Sequence, residues 1–138
     1  MNKLTIEEQF LNFSQAKELK YLGIDFENGN YLIWNESEEI IAKSNILGFI
    51  GDDYTPTLSV AEMLEMLPEI IKVKDVIYEL YLKKSSFYIV GYREYLNESL
   101  SINEFIYTLI RDALFEMLKW LKQNKLTIEE MEFYKLVI

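Results

Sequence analysis

Apolar residues recur along this chain with two periods, and the switches between them predict its elements. Thr5 and Glu8 have capping-box spacing, and Ile6, Phe10 and Phe13 suit one face of a short helix. Ser14 is then expected to cap a helix whose apolar face is Ala16, Leu19 and Leu22. Gly23 stands where a left-handed residue closes a helix, and Ile24 is expected to fold back on Leu19. Alternation follows: 24–27 and 31–34 read as strands around Asn28-Gly29, a dipeptide suited to the positive φ values of a tight hairpin turn. The polar stretch 35–54 offers Ile40-Ile41 and Ile46-Leu47 as short strands or anchoring segments. Another helix is predicted to start at Ser59, which has a capping box with Glu62, or at Thr57, an equally good cap after Pro56; Leu58, Ala61, Leu64 and Leu67 are its face, and Pro68 its end. Residues 76–83 and 87–93 alternate and are rich in β-branched and aromatic types, which predicts a hairpin, with 70–73 a further strand.

The longest periodic stretch is 101–124, SINEFIYTLIRDALFEMLKWLKQN. Ser101 and Glu104 suggest a capping box. At about 100° per residue its apolar positions sweep roughly 220°, more than a helix with one neighbour needs. On this wheel Phe115 falls among Glu104, Arg111 and Lys122, as an aromatic the core does not want. The last residues, 127–138, suit a short helix or an added strand. The heptapeptide NKLTIEE occurs twice, at 2–8 and 124–130; two helix starts with the same capping chemistry explain it, and a symmetric placement of the two copies at an interface is the alternative. The resulting fold class is α+β: an antiparallel sheet of hairpins packed against a long C-terminal helix and two shorter helices. A length of 138 residues predicts a single domain over 1–138.

Charge changes this picture by halves. Residues 1–69 hold 4 basic and 13 acidic side chains, whereas residues 70–138 hold 10 of each. The first half therefore carries the whole net charge of -9, which disfavours direct binding to nucleic-acid phosphate and suits a basic protein surface, although solubility alone also accounts for such a charge. There is no Cys and no His, so thiol nucleophiles, thiolate metal sites and the commonest general base are excluded. No run reaches the ~18 apolar residues of a membrane span, and no basic-then-apolar leader pattern opens the chain. Cytoplasmic location without membrane association is the expectation.

The five Gly form no phosphate-binding loop, and no Ser, Thr or Tyr has a His partner, so an enzyme is not expected. No cofactor is expected either. Glu36, Glu38, Glu39, Asp52 and Asp53 cluster in sequence, but without the ligand spacing of a Ca²⁺ loop they read as a solvated acidic surface. Ten Tyr raise a second expectation: a sheet face left open around Tyr81 and Ile77 would be an aromatic contact patch. The candidate partner-binding residues are thus Glu36, Glu38, Glu39, Asp52, Asp53, Tyr81 and Phe115.

Three stretches carry a family resemblance. Residues 13–25 (FSQAKELKYLGID), 55–64 (TPTLSVAEML) and 113–122 (ALFEMLKWLK) resemble, in order, segments of small acidic proteins encoded in Bacteroidetes genomes, prophages and mobile elements. The resemblance implies a source and an architecture, with no catalytic residue to carry over. The expected function is a non-enzymatic interaction protein binding a host or phage protein, with self-association a further expectation. Two alternatives stand beside it: a nucleotide-like ligand held in a Tyr-lined pocket with Trp120, and an acidic nucleic-acid mimic that inhibits a host defence protein.

Overall fold

Helix ends are where local sequence dictates most, and in the computed structural model, which describes residues 5–24, 26, 29–46 and 51–124, three predicted ends form. Thr5 and Glu8 exchange backbone-to-side-chain hydrogen bonds of 3.2 Å each. Ser59 and Glu62 do the same at 3.0 and 3.1 Å. Gly23, at φ 88°, closes the first helix: its N–H donates to Lys20 O at 3.0 Å and that of Ile24 to Leu19 O at 3.1 Å. This pairing satisfies carbonyls that a helix end otherwise leaves open. The N-cap differs from expectation. Asn12, not Ser14, caps α1 (Phe13–Tyr21), because Gln15 completes a reciprocal capping box with Asn12 while Ser14 lies inside the helix.

The chain forms two compact units, Met1–Glu62 and Met63–Ile138. In the first, β1 (Tyr31–Trp34) is the middle strand of an antiparallel sheet, flanked by β2 (Glu39–Ala42) and β3 (Tyr54–Thr57). β1 thus uses both of its edges, which leaves no place beside it for the strand expected at 24–27. Ile24 and Phe26 are not in a strand, and Asp25, Glu27 and Asn28 of that expected hairpin lie outside the described residues. The hairpin forms instead through the four-residue turn 35–38, with Glu38 at φ 58°. Ile40 and Ile41 are in β2 as expected, while Leu47 lies outside the described residues. Pro56 sits in β3, an edge strand, where a missing N–H need not break a ladder. α1 packs against β3 over a core that includes Leu11, Leu19, Leu32, Ile33 and Leu58. Buried Thr57 donates its hydroxyl to Leu11 O at 2.8 Å, so its one internal polar group is satisfied. The chain passes from one unit to the next within α2 (Val60–Met66).

The second unit is an antiparallel meander, β4 (Ile70–Val73), β5 (Val76–Lys84), β6 (Tyr88–Glu94) and β7 (Asn97–Tyr107), followed by α3 (Ile110–Gln123). The three expected strands at 70–93 are all present. β4 and β5 join through Lys74 and Asp75, at φ 49° and 68°, a two-residue turn in which neither residue is glycine. Left-handed backbone disfavours side chains with a Cβ. Replacing Lys74-Asp75 by Asn-Gly is therefore expected to stabilise the protein by about 1 kcal/mol, read as a raised urea midpoint at unchanged slope.

The largest correction falls on 101–109. Its residues 101–107 belong to β7 rather than to the first turns of the long helix, 108–109 lead from that strand into α3, and α3 is 14 residues long. Ile102, Phe105 and Ile106 satisfy a helical period, but Ile, Phe, Tyr and Thr side chains favour a pleated surface, and the free edge of β6 offers a complete ladder. The Ser101 hydroxyl lies 3.2 Å from that of Tyr81 on β5, so it does not act as a helix cap. α3 packs on β6 and β7, and its buried side chains, Ala113, Leu114, Phe115, Met117, Leu118 and Leu121, still span an arc of about 200°. Phe115 is therefore core, 4% exposed, with Lys119 Nζ 5.2 Å from its ring centre. Its flank of the helix is covered too, since the Arg111 side chain is only 15% exposed. Asn124 closes α3 by donating its side-chain amide to Trp120 O at 2.8 Å. The tail expected at 127–138 and the rest of the second NKLTIEE copy lie outside the described residues.

Among the described residues no helix is long and apolar enough to cross a membrane.

Candidate functional site

The acidic residues are gathered by one asparagine. Asn35, the first turn residue after β1, accepts the hydroxyl hydrogen of Thr55 on its side-chain oxygen and donates its amide to Asp52 O at 2.9 Å. Its backbone N–H reaches Asp53 O at 2.8 Å. These bonds bring residues 52–53 beside the 35–38 turn across a sequence separation of 17 residues. The turn is held in its own right: Glu38 N–H donates to Trp34 O at 2.7 Å, and Glu39 N–H to Ser37 Oγ at 3.3 Å. Glu36, Glu38, Glu39, Asp52 and Asp53 are all solvent-exposed, so their charges project from one end of the first sheet. The unit carrying them holds 4 basic and 11 acidic side chains, a net charge of -7. An exposed surface of one sign attracts a partner of the opposite charge.

Trp34 is the member of this site that charge patterning alone does not reveal. As the last residue of β1 it stands directly opposite Glu39 on β2 and Tyr54 on β3, so the three side chains form a row on one face. Its strand neighbours Leu32 and Ile33 are buried, yet Trp34 remains 37% exposed. Trp34, Asn35, Glu36 and Asp53 line an open depression of ≈ 420 Å³. The signal was present in outline, since an indole ends an apolar strand just before an acidic run. What places it among carboxylates from two loops is the Asn35 contact.

Tyr81 belongs to the second unit, on the sheet face opposite buried Val90 and Tyr92. It stands across from Gly91 and covers it, with Arg93 5.3 Å from its ring centre and the Ser101 hydroxyl at its own. Arg93 in turn pairs with Glu79 at 3.3 Å. This is a satisfied, half-buried cluster. The apolar exposure on that face lies at Ile106, 56% exposed, on β7. Phe115, being buried, is not available to a partner in this fold.

One titratable group departs strongly from its ordinary behaviour. Burial holds the Tyr92 phenol well above the usual tyrosine range, because the phenolate would lose its hydration. The hydroxyl donates to Pro68 O at 2.7 Å, which accounts for its proton and fixes the end of the helix-to-β4 connection. Tyr92 thus supports the fold and stands apart from the acidic end. Among the described residues no three carboxylates are grouped to hold a metal ion. Comparison of the chain with protein-family models, curated proteins and solved structures finds no match, so any functional reading rests on the residues themselves.

Proposed function

We propose that this chain is a non-enzymatic interaction protein, of phage or mobile-element type, that engages a basic protein through the acidic end of its first sheet. The observation that carries this reading is the Asn35 clamp, which gathers carboxylates from two separate segments onto one exposed end. The source is carried by the sequence resemblance alone. A nucleic-acid mimic that occupies the basic groove of a host protein is one form of the same chemistry. On the buried meander face, where the ligand-pocket alternative would place its Tyr lining, Tyr92 is wholly buried and its hydroxyl is taken up by Pro68.

Neutralising Glu36, Glu38, Asp52 and Asp53 together as Gln and Asn is expected to abolish capture of basic proteins from a bacterial lysate. The wild-type interaction should weaken steeply as salt rises past ~0.15 M, where the screening length is about 8 Å. Retention of the same proteins by the neutralised variant would exclude this surface.

A further inference from the structure

We infer that the depression at Trp34 is a seat for a single cationic side chain, Lys or Arg, presented by the basic partner; this rests on the acidic-surface reading above. Three features converge. The indole is partly exposed at the end of β1, in a row with Glu39 and Tyr54. Glu36 and Asp53 line the same depression, one from each acidic loop, and Asn35 holds those loops together. Finally, other rings of this chain already carry cations of its own: Lys17 lies 4.9 Å from Phe13, Arg93 5.3 Å from Tyr81, Lys84 5.3 Å from Tyr88 and Lys119 5.2 Å from Phe115. Trp34 has the ring type with the strongest attraction for cations, stands among carboxylates, and carries no such cation among the described residues. The depression, at ≈ 420 Å³, is large enough for one long side chain.

A cation entering here meets the indole face and the carboxylates together, so its alkyl stem can lie on the ring while its head stays charged. An acidic surface alone attracts any basic partner; the ring adds a short-range contact that salt screens much less. The two contributions therefore separate experimentally. A fluorescent Arg-rich peptide and the same peptide with citrulline for every Arg are titrated against wild type, Trp34→Leu, Trp34→Phe and Glu36→Gln/Asp53→Asn. Trp34→Leu is expected to weaken Arg-peptide binding about tenfold, in line with the strength of a partly desolvated cation–π contact, without changing the salt slope. Trp34→Phe should retain part of that affinity. The carboxylate variant should flatten the salt slope, and the citrulline peptide should not bind. Equal, salt-dependent binding by wild type and Trp34→Leu overturns the seat and leaves the acidic surface standing. No binding of the Arg peptide to wild type at low salt overturns both.

A second measurement does not depend on a variant that folds differently. In the wild-type protein the Trp34 indole N–H resonance should shift on adding the Arg peptide, while that of Trp120 stays in place. A Trp34 signal that does not move while the peptide binds places the peptide elsewhere and overturns the seat.

Discussion

Replacing Tyr92 by alanine is expected to cost about 3–5 kcal/mol, and by phenylalanine about 1–3 kcal/mol, both read from urea unfolding near neutral pH. The two figures separate two contributions. Alanine removes a ring that is wholly buried on the meander's inner face, leaving a cavity that Val90 on its own strand and Leu80 opposite it can only partly close. Phenylalanine keeps the ring but leaves Pro68 O without its 2.7 Å donor. The pH dependence follows from the raised pKa. In the unfolded chain the phenol ionises near pH ~10, whereas in the folded chain it holds its proton to higher pH. The folded state thus binds the extra proton in that window. The stability Tyr92 contributes is complete below pH ~10 and falls above it, by up to about 1.4 kcal/mol per pH unit. The Tyr92→Phe variant has no such proton to lose, so its stability gap to wild type should narrow by about 1 kcal/mol between pH ~10 and ~11. A gap that stays constant would mean the phenol is not held protonated by burial.

Gly91→Ala should destabilise by about 1–3 kcal/mol, even though alanine ordinarily suits a strand interior better than glycine. A Cβ at position 91 would lie 2.8 Å from Tyr81 Oη, 2.9 Å from its Cζ and 2.9 Å from Asn103 O. The tyrosine ring can swing aside, but Asn103 O belongs to the β7 backbone that pairs with β6 and has little room to yield. The clash therefore outweighs the entropy gained from restricting the unfolded chain. Tyr81→Ala alone should also destabilise, because it uncovers the glycine that the ring shields. Combining the two substitutions should cost less than their sum, since part of the clash made by Gly91→Ala is with the ring that Tyr81→Ala removes. A Gly91→Ala protein as stable as wild type would show that β7 can move outward at this point. The neighbouring shift in register between Tyr92 and Arg93 makes this strand pair the place to look.

Much of this fold could be read locally, and the successes share a cause. The Ser59–Glu62 box, the Gly23 ending and the Pro68 stop each depend on bonds within a few residues, so the chemistry is complete in the sequence window. β5 and β6 were legible because alternation and β-branched content pointed the same way. The acidic residues were legible as a surface for similar reasons, being too polar and too crowded to bury. The misreading of 101–109 has the opposite origin. Its apolar positions fit both periods, and only the open edge of β6 decides between them. Phe115 has a different cause: on the actual helix it still lies beside Arg111 and Lys122, but that flank is covered, which no helical wheel can show.

The sequence by itself determined that this is an α+β chain with an acidic first half, and where several of its helices start and stop, because caps, charge and periodicity act over short distances. Tertiary structure alone decided that β7 is a strand, that a Lys-Asp pair adopts a left-handed turn, and that Trp34 stands among Glu36, Asp53 and Tyr54. Each of those outcomes depends on a partner distant in the chain: a free strand edge, a closing hairpin, or the carbonyls of residues 52–53 reaching Asn35. Contacts of that kind are chosen by what folding brings together.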